Sequence, residues 1–175
     1  MKRLAIFIAV MAGLLTTASV ARGETWGATL TGYEESPPVS TVANGDFRAT
    51  VQDGGRADHF HYTLTYSGLQ GTVTQGHIHV GQLGVNGSII IWLCQTSTNA
   101  DPTGLSPTCP QSGTVEGRIT AANVIAGSQT SQQLNAMDFD GALAAIRAGA
   151  AYVNVHTSPL SGGGEIRGQI RVVGK

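Results

Sequence analysis

The chain has 175 residues, with 10 Lys and Arg against 11 Asp and Glu, and only 12% of its residues are charged. It has no basic run, which argues against nucleic acid or an anionic membrane surface as a partner. Low charge combined with 24 glycines and much Thr and Val suggests short strands joined by tight turns.

The N-terminus reads as a secretory signal peptide over residues 1–21. Lys2 and Arg3 form a basic start, Leu4 to Leu15 is apolar apart from Gly13, and Ser19 and Ala21 occupy the −3 and −1 positions of a cleavage site. The apolar run is short for a spanning helix, which needs about 20 apolar residues. Removing 21 residues leaves 154, with 8 bases against 11 acids, enough for a single domain over residues 24–175. The expected location is periplasmic or secreted, with no membrane partner after cleavage. In such a compartment Cys94 and Cys109 are expected to pair and to staple the Thr-, Ser- and Pro-rich segment between them.

Strands are expected where apolar residues alternate. Thr25 to Tyr33 is the first, ended by Pro37-Pro38. Asn44-Gly45 reads as a turn, Phe47 to Val51 as a strand, and Asp53-Gly54-Gly55 as a hairpin turn. Phe60, Tyr62, Leu64 and Tyr66 alternate with His59, His61, Thr63 and Thr65. Thr72 to Val80, Ser88 to Cys94 and Gly113 to Thr120 follow. Phe139, Leu143 and Ile146 carry helical spacing instead, with Asp138 as N-cap and Gly149 just beyond the C-terminus. Ala151 to Thr157 and Gly164 to Val173 return to strand composition. The expected fold is all-β, an antiparallel Greek-key-like sandwich or barrel of eight or nine strands with one short helix.

Four of the five histidines form His-x-His pairs, His59 with His61 and His77 with His79. On a strand, residues two apart share a face, so each pair projects two imidazoles together. Imidazole suits copper, zinc, nickel and iron. His59 and His61 lie among threonines and read as a polar strand face, with metal binding the lesser reading. His77 and His79 lie between Gly76 and the loop Gly81 to Gly87, and His156 shares a face with Tyr152 and Asn154.

Three ordered motifs resemble the CHRD domain family, first described in the animal protein chordin. Leu30-Thr31-Gly32-Tyr33-Glu34-Glu35-Ser36-Pro37-Pro38 matches its opening. Gly68-Leu69, Gly76-His77-Ile78-His79-Val80-Gly81 and Gly84-Val85-Asn86-Gly87 match its centre. Tyr152 to Thr157 and Gly164-Glu165-Ile166-Arg167-Gly168-Gln169 match its end. The resemblance implies an exported or extracellular β domain and leaves its ligand open. Glu35, Glu165 and Arg167 belong to these motifs and are expected to be structural. The chain is more weakly similar to copper-zinc superoxide dismutase, through His77, His79 and a late His156. It lacks that family's bridging histidine and zinc-ligand loop, which disfavours dismutase activity.

The leading expectation is therefore an exported metal-binding module with His77, His79 and His156 as ligands, copper favoured and zinc the alternative. A metal-free interaction or matrix module is the rival, and a copper-dependent redox enzyme is third. No catalytic residue is assigned, and the sequence names no protein partner.

Overall fold

A computed structural model describes residues 23–51, 58–159 and 163–174. The expected signal peptide, the Asp53-Gly54-Gly55 turn and part of the glycine-rich link after Pro159 lie outside the described residues. Among the described residues the chain forms nine antiparallel strands and one α-helix: β1 (Thr25–Thr31), β2 (Asn44–Val51), β3 (His59–Ser67), β4 (Thr72–Val80), β5 (Ser88–Cys94), β6 (Gly113–Thr120), α1 (Phe139–Arg147), β7 (Ala151–Ser158), β8 (Ile166–Gln169) and β9 (Arg171–Gly174). The all-β expectation with one short helix holds.

Alternation builds the core. Phe47, Ala49 and Val51 of β2 face Leu64, Tyr62 and Phe60 of β3 as cross-strand partners, and all six are buried. Their neighbours along each strand point outward. Burying such side chains supplies the main drive for folding, about 25 cal/mol for each Å² of apolar surface removed from water. Trp26 meets Phe60 edge-on at 5.3 Å, and Phe60 stacks on Phe139 of α1 at 6.1 Å. The helix thus plugs the core with Phe139, Ala142, Leu143 and Ile146. Its N-cap is Asp138, whose carboxylate accepts from Gly141 N at 2.9 Å, and Gly149 follows the helix at φ +69°.

The strand order is β5-β4-β7-β8-β1-β2-β3-β6, with β9 also on β1. The two outer strands come together and nearly close a barrel. Tyr62 on β3 donates its hydroxyl to Leu93 O of β5 at 2.5 Å. The chain leaving β6 then bridges onto β5 through Ile91 and Val124, and Ile125 N donates to Ile90 O. Closure covers strand edges that would otherwise be open to pairing with other chains. Among the described residues, no helix is long and apolar enough to cross a membrane.

Three expectations change. β1 ends at Thr31, and Gly32–Glu34 forms a 3-10 turn. Asn44 and Gly45 do not turn the chain. They open β2, because Asn44 finds partners on both sides, Thr31 and Ser67. The last expected strand divides at Ile170, whose N–H donates to Ala151 O while its side chain is buried. β8 pairs with β7 and touches β1, whereas β9 pairs with β1 alone.

Cys94 and Cys109 stand at bonding distance, with S–S 2.03 Å. Inside the loop they close, Asp101 accepts hydrogen bonds from Thr103, Leu105 and Ser106, so the segment is organised around one carboxylate.

Candidate metal centre

β4 and β7 lie side by side, with His77 opposite Asn154, His79 opposite Tyr152, and Gln75 opposite His156. Ile78, Val153 and Val155 fill the core face. The other face carries His77, His79, Tyr152, Asn154 and His156, and it continues through Arg167 and Gln169 on β8. A polar sheet face normally meets water, but this one is buried. Its cover is the loop Gly81 to Gly87, together with the segment after β1.

Arg167 holds that cover in place. Its guanidinium donates to Gln82 O and Val85 O at 2.9 Å each and to Asn86 Oδ1 at 3.2 Å. Asn86 in turn donates to Ser36 O, linking the two covering segments. The same guanidinium lies 3.4 Å above the ring centre of Tyr152, and Tyr152 stacks on His79 at 4.6 Å. Gly87 must be glycine here, because a Cβ at that position would fall 1.6 Å from Val80 O.

His77, His79 and His156 each present a ring nitrogen, and these three atoms lie within 4.8 Å of one another. The residues are 0%, 6% and 7% exposed. Zinc or copper binds imidazole nitrogen at about 2.0–2.1 Å, so two nitrogens on one tetrahedral ion stand roughly 3.3 Å apart. A ring movement of under about 1 Å at each side chain brings the widest pair to that spacing.

The protonation states also suit a metal. Burial, reinforced by the neighbouring His156 and His79 rings, holds His77 well below its usual pKa. Burial likewise lowers His79 to about 4, against a raising hydrogen bond to Gly87. Both rings are neutral at pH 7. Gly87 O lies 2.9 Å from His79 Nδ1, and a carbonyl can only accept, so Nδ1 carries the proton and Nε2 keeps its lone pair. That Nε2 is buried without a hydrogen bond, as are both nitrogens of His77. Unsatisfied buried polar atoms cost about 1–3 kcal/mol each, a cost that coordination would remove.

The two motif glutamates differ. Glu165 accepts from Thr41 Oγ1, Gln70 N, Gly71 N and Thr157 Oγ1, and so ties the segments at Thr41 and at Gln70-Gly71 to the end of β7. These donors hold its carboxyl below the usual range although burial opposes them. Glu35 is 3% exposed, and neither of its oxygens has a well-formed hydrogen bond. Burial raises it to about 8, with the Arg167 charge and the Asn154 amide opposing. Glu165 and Arg167 form no ion pair with each other among the described residues; each instead anchors loops.

His59 and His61 lie elsewhere, on the open face of β3. His61 is exposed, and His59 hydrogen-bonds to the exposed Asp58. Among the described residues, the structure gathers only His77, His79 and His156 into a cluster of three metal-ligating side chains. Two contributors escaped the sequence reading. Trp92 of β5 meets His77 edge-on at 4.3 Å, and the Gly87 carbonyl orients His79. Register shifts between β4 and β5 around His77 set the face on which Trp92 emerges, and the apolar run Ser88 to Cys94 carries no sign of them.

The CHRD domain family model matches residues 26–170, and the chain belongs to that family. Searches of curated proteins and of solved structures return no match. The family defines a β module of extracellular type.

Proposed function

We propose that this CHRD domain is exported and binds one transition-metal ion through His77, His79 and His156. The observation that carries the reading is the convergence of three buried imidazole nitrogens within 4.8 Å. Neutral rings support it, since a metal ligand must offer a lone pair. Copper is favoured because it stands highest in the divalent affinity series for a given nitrogen site. Zinc is the alternative, with water completing four-coordination. When bound, the metal would supply a Lewis acid or, as copper, a one-electron redox couple. The residues of the chain hold, orient and shield it: Gly87 fixes the His79 tautomer, Trp92 walls His77, and the Arg167-anchored loop keeps out water.

Titration of the apo-protein with Cu(II), Cu(I) and Zn(II) tests the reading. The expected result is a 1:1 complex whose electron paramagnetic resonance spectrum, for Cu(II), shows nitrogen coupling. A melting temperature indifferent to all three ions and to chelator would point to the metal-free interaction module.

A further inference from the structure

Asn154 lies on β7 between Tyr152 and His156 and stands directly opposite His77 on β4. It is 2% exposed, and its amide oxygen Oδ1 is buried without a hydrogen bond. The surroundings tell the two ends of the amide apart. Nδ2 donates to Gly163 O at 3.1 Å, and a carbonyl can only accept, so the nitrogen is the end that faces the glycine-rich link. The same end faces Glu35, where burial raises the carboxyl while Arg167 and this amide oppose. Gly164 leaves room for it: a Cβ there would stand 2.8 Å from Nδ2. With Nδ2 so held, Oδ1 is turned back onto the histidine face. At His79 burial lowers the ring, and Asn154 opposes alongside Gly87, as a nearby acceptor does.

Oδ1 therefore meets groups that cannot satisfy it. His79 commits its proton to Gly87 O, and its Nε2 is a second buried acceptor without a partner. Two acceptors on one dry face share no proton, and each costs about 1–3 kcal/mol while unsatisfied. A cation on the nitrogen together with a donor on the oxygen satisfies both.

We propose that Asn154 Oδ1 is the fourth group of the metal site and accepts a hydrogen bond from the water that completes the coordination. The inference rests on the metal reading and adds the ligand class of the open position, a neutral hydrogen-bond donor. Three imidazoles leave one place on a four-coordinate ion. An amide oxygen is a poor choice to fill it directly, because carbonyl oxygen suits magnesium, calcium and manganese, whereas imidazole suits copper and zinc. Water bridges the two preferences, since its oxygen meets the metal and its proton meets Oδ1. Groups that orient what lies on a metal commonly change affinity 10- to 100-fold when lost.

The test is electron nuclear double resonance of the Cu(II) protein in H2O and in D2O, with copper affinity measured by chelator competition. Wild type should show nitrogen coupling and strongly coupled exchangeable protons. Asn154→Leu, of nearly the same size, should keep the nitrogen coupling, lose those protons and hold copper about tenfold more weakly. Asn154→Asp keeps an acceptor in the same place and should keep the protons. If Asn154→Leu does not fold, Asn154→Asp carries the test, and loss of the protons there overturns the proposal. Wild type without exchangeable protons, or Asn154→Leu with them, overturns it while the nitrogen coupling still supports three imidazole ligands. A wild type that binds no copper or zinc overturns the metal reading and this inference together.

Discussion

Two His-x-His pairs lie on strands of the same sheet and share their local geometry. The rings of His59 and His61 are 5.2 Å apart at 89°, and those of His77 and His79 are 5.4 Å apart at 73°. Their surroundings differ in every other respect. Beside β3 stands β6, which places Arg118 opposite His61 and Thr120 opposite His59, and His61 is left in solvent. Beside β4 stands β7, which brings His156 to 5.2 Å from His77 and 6.3 Å from His79. The period of a strand makes two imidazoles converge. The neighbouring strand supplies the third, and the covering loop supplies burial.

The comparison breaks most directly at the ligands. His77→Ala/His79→Ala should lower copper affinity at least about 1,000-fold, roughly 4 kcal/mol. His59→Ala/His61→Ala should change it by less than about twofold. Competition against a chelator of known affinity reads both. Similar losses in the two variants would mean that the pairs are equivalent and that the third histidine adds nothing.

Much of this difference could be read in the sequence, for identifiable reasons. Alternation fixed the faces of β2 and β3, and the helix showed itself through Phe139, Leu143 and Ile146. His59 and His61 stood among threonines, which marks an exposed face. The family motifs linked His77, His79 and His156 across some 80 positions, a link that local periodicity cannot make. What escaped depends on contacts between distant segments. No residue near Asn44 reports that strands flank it on both sides, and nothing near Ile170 marks the point where the chain passes from β7 to β1. The task of Arg167 is equally hidden, because two of its three partners are backbone carbonyls, of Gln82 and Val85, which leave no mark on composition, and the third, Asn86, lies 81 residues away.

Acid should separate the buried pair by its cost to the apo-protein. His79 titrates at about 4 in the fold against its ordinary value of 6.5. Between those values only the unfolded chain takes up the proton, so stability is complete above about pH 6.5 and declines as pH falls toward 4. For His79 the loss reaches up to about 3 kcal/mol, and His77 acts in the same direction. Glu35 works the other way. It keeps its proton in the fold up to about 8, so its contribution declines as pH rises from 4.5 to that value. The histidine part is therefore taken as the difference between wild type and His79→Asn in urea unfolding at several pH values. Parallel profiles for the two proteins would show that burial of His79 carries no such cost.

The cover can be loosened without touching a ligand. Arg167→Met removes three hydrogen bonds to the loop and the cation above Tyr152, and should cost about 2 kcal/mol of stability. Metal affinity should fall about tenfold, as is usual when a group supporting a ligand is lost. Unfolding and chelator competition on one preparation measure both. An unchanged affinity would assign the loop to stability alone and leave the buried pair no advantage from its cover.

The smallest effect comes from giving the exposed pair what it lacks. Arg118→His places an imidazole directly across from His61, so that β3 and β6 together offer three. In a His77→Ala/His79→Ala background, copper affinity should rise by less than about tenfold. Exposed side chains must give up rotamer freedom to converge, and water competes for the metal at every position. The buried set is held beforehand by Gly87, Tyr152 and Trp92, so much of that ordering is complete before a metal arrives. A grafted site equal to the natural one would mean that count alone sets affinity and that burying His77, His79 and His156 serves some other end.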